Sequence, residues 1–272
     1  MVRKRNPRIL VFDSGLGGLS VLRALVKTMP FADYVFLADD ARFPYGDLAD
    51  EDLIDGLVTL VEEACLVKSP DLLVVACNTA STIALGALRH RFAFPIVGIV
   101  PAIKPAANAT QTGAFSVLAT PGTIRRSYTR DLITEFAGDC DVSLIACTGL
   151  ARLAEDYLLQ GLSDMEAIRK EIAPAFSGEH GEQADVIVLG CTHYPLLLPV
   201  LEGVAPRSVL WIDPAHAVAR RVMHLLGQEW QDCIVSTTPG QEDRSGYCEF
   251  TATSGGADRL RRAWDALSHM VR

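Results

Sequence analysis

Residues 185–195, DVIVLGCTHYP, form a short apolar run that stops at a cysteine followed by threonine and histidine. Residues 71–80, DLLVVACNTA, are a near copy, and in both segments an aspartate precedes the cysteine by six positions. Runs rich in Val, Ile and Leu that end in small polar residues are typical of strands buried on both faces. In an open α/β sheet the carboxyl ends of such strands line the ligand crevice. We therefore expect Cys77 and Cys191 to face one site.

The composition indicates a globular protein with a sizeable core. The chain has 272 residues, of which 49% are hydrophobic and 21% charged, and this composition excludes wholesale disorder. A chain of this size can bury roughly three quarters of its unfolded surface. The net charge of -8 argues against nucleic acid as a partner, because that binding depends on clustered Lys and Arg.

The cysteine count and the hydropathy pattern both favour a cytoplasmic protein. No apolar run is long enough for a membrane helix or a signal peptide, so no membrane partner is expected. Seven cysteines is an odd number and no pair has C-x-x-C spacing, which favours reduced thiols over a disulfide framework. Structural zinc is not expected either, because Cys191 and His193 form the only close Cys/His pair.

Strand and helix patterns alternate along the chain with short connections. This alternation predicts βα units and mainly parallel sheets, hence an α/β fold. The pattern begins again at Phe115, and together with the repeated D-x5-C segment this predicts two similar halves. In the second half we expect one helix over residues 124–136 and a charged loop over residues 177–183. An edge strand is expected over residues 247–253.

Polar residues follow the ends of several predicted strands, and the fold would gather them on one rim. They are Asp13, Asp39, Cys77, Thr120 and Cys191. A thiol acts as a base only as the thiolate, and a helix N-terminus following the cysteine lowers the thiol pKa and binds carboxylates. The pattern therefore predicts a small anion held between two thiols.

Other residues with chemical potential have simpler interpretations. Five cysteines are expected to be core filler, as is usual for buried thiols: Cys65, Cys140, Cys147, Cys233 and Cys248. The glycine-rich residues 14–20, SGLGGLS, lack the last glycine of G-x-G-x-x-G and a P-loop lysine, so they do not predict a nucleotide site. By pattern alone, Glu155 is expected to be a solvated helix acid.

Four motifs taken together resemble the glutamate racemases, within the cofactor-independent aspartate/glutamate racemase superfamily. They are FDSGLGG from Phe12, DARFPYG from Asp40, ACNTAS from Ala76 and LGCTHYP from Leu189. The resemblance covers nearly the whole chain. The sequence departs from the usual pattern at Asp40, Arg126 and Thr148, where a small hydroxyl residue, serine and proline are common.

The resemblance implies a two-base proton transfer on glutamate, without pyridoxal phosphate or metal. Cys191 would deprotonate L-glutamate and Cys77 would deprotonate D-glutamate. Asp13 would assist at Cys77, and His193 and Glu155 would assist at Cys191. The positions that match the family's substrate-binding residues are Asp13, Ser14, Tyr45, Gly46, Asn78, Thr79, Thr192 and His193, with Thr120 and Thr123 adding to them.

The resemblance also implies two pseudo-twofold related α/β domains with the active site in the cleft between them. Residues 1–100 and 213–272 would form one domain and residues 101–212 the other. It further implies a bacterial cytoplasmic homodimer that supplies D-glutamate for peptidoglycan. Two alternatives stay open: a sister enzyme acting on another acid such as aspartate, and a binding protein that retains the fold without turnover.

Overall fold

The computed structural model describes residues 5–45, 50–227, 230 and 246–269. Within this part of the chain, two sheets of parallel strands carry the fold, which confirms the predicted α/β class. The larger sheet contains β1 (Arg8–Asp13), β2 (Asp33–Ala38), β3 (Leu72–Val75), β4 (Ile96–Gly98) and β9 (Cys248–Ala252), in the order β4-β3-β1-β2-β9. The smaller contains β5 (Ala114–Ala119), β6 (Asp141–Ala146), β7 (Val186–Leu189) and β8 (Leu210–Ile212), in the order β6-β5-β7-β8.

Helices connect the strands of both sheets. The helices of the first half and the chain end are α1 (Leu19–Thr28), α2 (Asp50–Lys68), α3 (Asn78–Arg91), α11 (Ala215–Leu226) and α12 (Ala257–His269). Those between are α4 (Ile103–Ala109), α5 (Pro121–Arg125), α6 (Ser127–Phe136), α7 (Leu150–Gln160), α8 (Met165–Ile172), α9 (Gly178–Gln183) and α10 (Leu198–Val204).

The two sheets share one strand order, which accounts for the repeated sequence segment. β3 pairs with β1 and β4, and β7 pairs in the same way with β5 and β8. Cys77 follows the end of β3 by two residues, and Cys191 follows the end of β7 by two. Because the topology is repeated, the two cysteines occupy equivalent places in the two halves.

The strands form because their side chains are apolar on both faces and are covered on both. All four residues of β3 and all four of β7 are buried. One face of the first sheet packs on α2 and α3 through side chains such as Leu10, Leu73 and Leu57. The opposite face belongs to a core that continues into the second half and includes both Val11 and Leu189. The halves are therefore joined by buried apolar contacts.

Three sequence predictions need correction. The helix expected over residues 124–136 is two helices, α5 and α6, because Arg126 adopts an extended backbone between them. The loop expected over residues 177–183 contains α9. Residues 194–204 had no predicted helix, yet a 3-10 turn, Tyr194–Leu197, leads into α10. Both of these elements carry a proline in their first turn, where a helix tolerates it.

The end of the chain returns to the first sheet. β9 is an edge strand, as predicted for residues 247–253, and the structure shows that it pairs in parallel with β2. α12 packs against β9 through Trp264 and Phe250. The domain limits inferred from the sequence, residues 1–100 with 213–272 and residues 101–212, stay a prediction. In the described part of the chain, no helix has both the length and the apolar character needed to cross a bilayer.

We expect Leu73→Ala to destabilise the fold strongly. Leu73 is fully buried on β3, so truncation removes apolar contacts and leaves a cavity, at a cost of about 2–5 kcal/mol in the free energy of unfolding. The matched control is Leu162→Ala, because Leu162 is 62% exposed. Urea unfolding of both variants would measure the difference. Equal losses for the two would contradict the assignment of β3 to the core.

Candidate active site

A small cavity lies where the carboxyl ends of the two sheets face each other. It contains about 300 Å³ of space not occupied by protein atoms, part of which is open to solvent. The residues that line it are Ser14, Phe43, Pro44, Tyr45, Cys77, Asn78, Thr79, Thr120, Ala151, Cys191, Thr192 and His193. The two cysteines singled out from the sequence therefore reach the same cavity from different sheets.

Cys77 is the N-cap residue of α3. Its sulfur accepts a hydrogen bond from the Ala80 amide at 3.5 Å and lies 3.5 Å from the Ser14 hydroxyl. Burial, together with the neighbouring charge of Asp13, raises the pKa of the Cys77 thiol to about 12, although those two hydrogen bonds act in the opposite direction. Cys77 therefore carries its proton at neutral pH.

Asp13, the last residue of β1, is completely buried. Its carboxylate accepts hydrogen bonds from the Gly15 amide at 2.7 Å and from the Thr192 hydroxyl at 3.0 Å. Burial raises the pKa of Asp13 from 3.8 to about 7, and nearby His193 and the two hydrogen bonds limit the rise. A carboxyl with this pKa can accept or release a proton near neutral pH, as acid–base catalysis requires.

Cys191 has a different partner. Its sulfur lies 3.7 Å from Nδ1 of His193, whose Nε2 lies 3.1 Å from Oε1 of Glu155. Burial opposes the charged imidazolium, but the contacts with Cys191 and Glu155 raise the pKa of His193 well above its usual value. An imidazolium between a carboxylate and a sulfur stabilises the thiolate, which is the reactive form.

Glu155 is part of this cluster, so its interpretation as a solvated acid was wrong. It points inward from α7 and is only 4% exposed. Burial opposes the carboxylate, yet hydrogen bonds from His193 and the Leu16 amide and the charge of Arg259 lower the pKa of Glu155. The carboxylate therefore stays ionised beside His193.

The turn after β1 is rich in glycine because side chains of the second half lie directly against its backbone. A Cβ at Gly17 would lie 2.7 Å from Cε1 of His193 and 2.7 Å from the Thr192 hydroxyl. A Cβ at Gly15 would lie 2.8 Å from Oε1 of Glu155. The turn is thus a contact surface for the Cys191 cluster, a use of glycine that allows close backbone approach.

The floor of the cavity is polar. Asn78 is 2% exposed, and in the described part of the chain neither its amide nitrogen nor its amide oxygen has a hydrogen-bond partner. The hydroxyls of Thr79, Thr120 and Thr123 lie 3.1–3.3 Å from one another. A buried amide without protein partners is costly unless a ligand satisfies it, so Asn78 indicates a place for a polar ligand.

Tyr45 closes one side of the cavity and is fixed from behind. Its hydroxyl donates to Asp39, which also binds Arg42 and accepts a hydrogen bond from Thr253 at 2.9 Å. Burial and the contact with Asp39 raise the pKa of Tyr45, so the phenol keeps its proton and remains a donor. Gly46, which follows it in the predicted substrate-binding set, lies outside the described residues.

Of the other residues predicted for the site, most lie together. Ser14, Thr79, Thr120 and Thr192 line the cavity, while Asp13, Glu155 and Thr123 contact residues that do. Their individual roles stay predictions.

Three residues of the site were not predicted from the sequence: Phe43, Ala151 and Arg259. Phe43 lines the cavity and its ring lies 5.2 Å from the His193 ring, and Ala151 lines it from α7. Phe43 belongs to the quoted motif DARFPYG, which was a usable signal. Arg259, which binds Glu155 from α12, is 104 residues away in the chain and had no such signal.

Within the residues that the structure describes, no cluster of three or more His, Cys, Asp or Glu side chains is arranged to hold a metal ion.

The model of the Asp/Glu/hydantoin racemase family matches residues 9–222. This match, together with two parallel sheets whose ends bring two thiols to one cavity, defines the chain as an amino-acid racemase.

Individual relatives narrow the assignment. A glutamate racemase of Mesorhizobium japonicum is 50% identical over 219 residues, which are 80% of this chain and 84% of that protein. The crystal structure of Escherichia coli glutamate racemase in complex with L-glutamate and the activator UDP-MurNAc-Ala is similar at a TM-score of 0.82 and 37% identity, covering 94% of this chain and 92% of that one. Glutamate racemase from Aquifex pyrophilus is similar at a TM-score of 0.62 and 32% identity, covering 80% and 82%. The chain therefore belongs to the Asp/Glu/hydantoin racemase family, and within it to the glutamate racemases.

We expect Asp13→Asn to gain stability relative to the parent protein as the pH rises. The folded carboxyl, with its raised pKa, binds a proton more tightly than the unfolded one, so the stability it contributes is present below about pH 4 and is lost as the pH rises through about 7. A shift of roughly three units corresponds to about 4 kcal/mol. Urea unfolding across that range would measure it, with Asp156→Asn, at an exposed position, as the control. Parallel stability curves for Asp13→Asn and the parent would contradict the raised pKa.

Proposed function

We propose that this enzyme interconverts L-glutamate and D-glutamate by a two-base proton transfer between Cys191 and Cys77. The observation that carries the proposal is that both thiols line one small cavity from opposite sheets. Inversion at a carbon needs a base on one face and an acid on the other. The choice of glutamate as the substrate rests on the relatives, which are named glutamate racemases.

In the direction from L-glutamate, the Cys191 thiolate would take the α-proton. The C–H bond breaks, an S–H bond forms, and the electron pair stays on the substrate, delocalised into its carboxylate. The Cys77 thiol then donates its proton to the opposite face, and the electron pair forms the new C–H bond. The opposite direction exchanges these roles, with Asp13 as the group beside Cys77 that can accept a proton near neutral pH.

The starting protonation states suit the first direction. The imidazolium of His193 lies 3.7 Å from the Cys191 sulfur and favours negative charge there, while the raised pKa of Cys77 keeps a proton on Cys77 for delivery. Neither step draws on a cofactor. The chain's own groups hold and move each proton.

The polar residues at the floor of the cavity would bind the substrate carboxylates. The unpartnered amide of Asn78 can donate and accept, and the amides at the start of α3 favour negative charge. The hydroxyls of Thr79, Thr120 and Thr192 add further donors at the cavity wall. Asp13 offers a negative partner for the substrate ammonium group.

The wider role follows from the product. D-glutamate is a peptidoglycan precursor, so we place the enzyme in cell-wall synthesis in the bacterial cytoplasm. We also propose two domains, residues 1–100 with 213–272 and residues 101–212, and a homodimer.

The decisive measurement is incubation of the purified protein with L-glutamate in D₂O. We expect loss of the α-proton signal by NMR together with decay of the circular dichroism of the substrate. L-aspartate in a parallel reaction tests the sister-enzyme alternative. Faster turnover of aspartate would replace the glutamate assignment, and silence with both acids in a folded protein would favour a binding protein.

We expect Cys77→Ser and Cys191→Ser each to lose at least about a thousandfold in kcat, because a serine hydroxyl is a far weaker acid and base than a thiol. The control is Cys140→Ser, since Cys140 lies outside the cavity. Because the enantiomers have equal free energy, kcat/KM must fall equally in both directions. Near-normal racemisation by Cys77→Ser would refute the two-thiol mechanism.

We expect Asn78→Ala to raise KM for glutamate about tenfold or more, because a buried hydrogen bond to a charged group contributes roughly 1.5–3 kcal/mol. The control is Ser81→Ala, since the Ser81 hydroxyl is buried on the same helix but binds the Val75 carbonyl and lies outside the cavity. Steady-state kinetics in both directions would measure the effect. An unchanged KM for Asn78→Ala would remove Asn78 from the binding set.

A further inference from the structure

We propose that Arg259 is a positioning residue for the Cys191 half of the site: its guanidinium holds Glu155 as an anion against Nε2 of His193 and so keeps a proton on that nitrogen, in the imidazolium and in the neutral ring alike. The inference rests on the proposed racemase function and deepens it. It assigns a role to α12, an element at the end of the chain.

The contacts form one unbroken series. Nη2 of Arg259 lies 2.6 Å from Oε2 of Glu155, Oε1 of Glu155 lies 3.1 Å from Nε2 of His193, and Nδ1 of His193 lies 3.7 Å from the Cys191 sulfur. Glu155 and His193 are buried, whereas the Arg259 side chain is 40% exposed. Arg259 does not line the cavity, so it acts through Glu155 rather than on substrate.

Nε2 of His193 has two competing neighbours. It lies 3.1 Å from the Gly17 amide nitrogen as well as 3.1 Å from Glu155. A hydrogen bond from Gly17 requires Nε2 without a proton, which places the proton of a neutral ring on Nδ1. A hydrogen bond to Glu155 requires a proton on Nε2, which leaves Nδ1 of a neutral ring free to take the proton of the Cys191 thiol.

The charge on Glu155 decides between these arrangements. An anionic Glu155 accepts the Nε2 proton and stabilises the imidazolium that forms when the thiol transfers its proton. A neutral Glu155 would give up that preference and leave the Gly17 amide as the better partner. Arg259 favours the anion, and among the described residues that contact Glu155 it supplies positive charge independently of His193.

Every charged group that faces Glu155 bears on this balance. From the end of β1, Asp13 opposes a second negative charge nearby. His193, from the segment after β7, favours the negative charge of Glu155. The Leu16 amide, from the turn after β1, donates a hydrogen bond to Glu155 at 3.1 Å. Arg259 from α12 is the remaining partner. Removing Arg259 therefore leaves Glu155 with His193 and the Leu16 amide against burial and Asp13.

The start of α12 is fixed so that Arg259 reaches inward. Asp40, at the end of the β2 segment, accepts hydrogen bonds from the Ser254 amide at 3.0 Å and the Ser254 hydroxyl at 2.6 Å. The Ser254 hydroxyl in turn accepts from the Gly256 amide at 3.2 Å, and the Arg259 amide donates to the Gly256 carbonyl at 2.9 Å. Asp40, one of the positions that departs from the usual family pattern, thus anchors the turn that leads into this helix.

The test compares Arg259→Met with the parent enzyme, using L-glutamate and D-glutamate over a range of pH. We expect kcat to fall about tenfold and KM to stay within about twofold, because the residue tunes a proton-transfer group and does not contact substrate. The acid limb of kcat/KM should move up by about one pH unit, since losing a partly exposed opposite charge raises the pH at which Glu155 protonates. Arg259→Lys should restore most of the parent's kcat and return the acid limb most of the way to its position in the parent.

A second readout follows the histidine itself. In ¹⁵N-histidine-labelled protein, the His193 ring signals, identified by their absence in His193→Gln, should show less proton on Nε2 in Arg259→Met than in the parent. The control is Arg262→Met, at an exposed position on the same helix, which should match the parent in every measurement. If Arg259→Met does not fold, Arg259→Gln, which retains a donor but no charge, carries the same expectation for the acid limb.

The outcomes separate this inference from the proposed function. An inactive parent enzyme would refute the racemase proposal itself. An active parent whose Arg259→Met variant keeps the acid limb and the His193 signals of the parent would overturn only the role of Arg259. A fall in kcat with neither change would reduce Arg259 to a structural contact and would overturn it as well.

Discussion

The site depends on one close contact, between the turn that follows β1 and the segment that follows β7. Gly17 lies against His193 and Thr192, the Thr192 hydroxyl binds Asp13, and the Ser20 hydroxyl binds the Thr192 carbonyl at 3.0 Å. Each of these contacts joins a residue of the first half to a residue of the second. Since parallel strands end at the same edge of a sheet, two sheets facing edge to edge bring their terminal residues together only if the intervening turns are narrow. Glycine makes this turn narrow enough.

Much of the fold could be predicted because its strongest elements satisfy local and global preferences together. The apolar runs within residues 71–80 and 185–195 are the clearest cases, because they predicted buried strands ending at Cys77 and Cys191, and β3 and β7 lie there. The failures fall where local preference is weak or misleading. α9 has the sequence GEHGEQ, whose glycines disfavour a helix. Packing against β5 and against the 3-10 turn that precedes it, Ala173–Phe176, supports it instead. Prolines hid α10 for a similar reason, since only position within the first turn makes them acceptable.

The features of the site likewise divide into those that the sequence predicted and those that it did not. The repeated D-x5-C segments identified Cys77 and Cys191 from the chain alone, because strand ends of equivalent topology occupy equivalent places. The environment of each thiol could not be predicted. Arg259 reaches Glu155 from 104 residues away, and Asp39 binds Thr253 across an even longer separation. Such contacts depend on the register of β9 against β2 and on the tilt of α12, which no local pattern specifies.

The two halves share a topology but not their electrostatics, and this difference shapes the proposed cycle. Cys191 has an imidazolium beside it, whereas Cys77 has a buried carboxyl that opposes a second negative charge. One turnover from L-glutamate would leave the proton on Cys191 and the negative charge at Cys77, the less favourable arrangement. Asp13, with a pKa of about 7, can make this arrangement less unfavourable by taking up a proton and so losing its negative charge beside Cys77. The equal free energies of the enantiomers constrain the overall reaction, not the free enzyme, so an asymmetric resting state is compatible with a racemase that works in both directions.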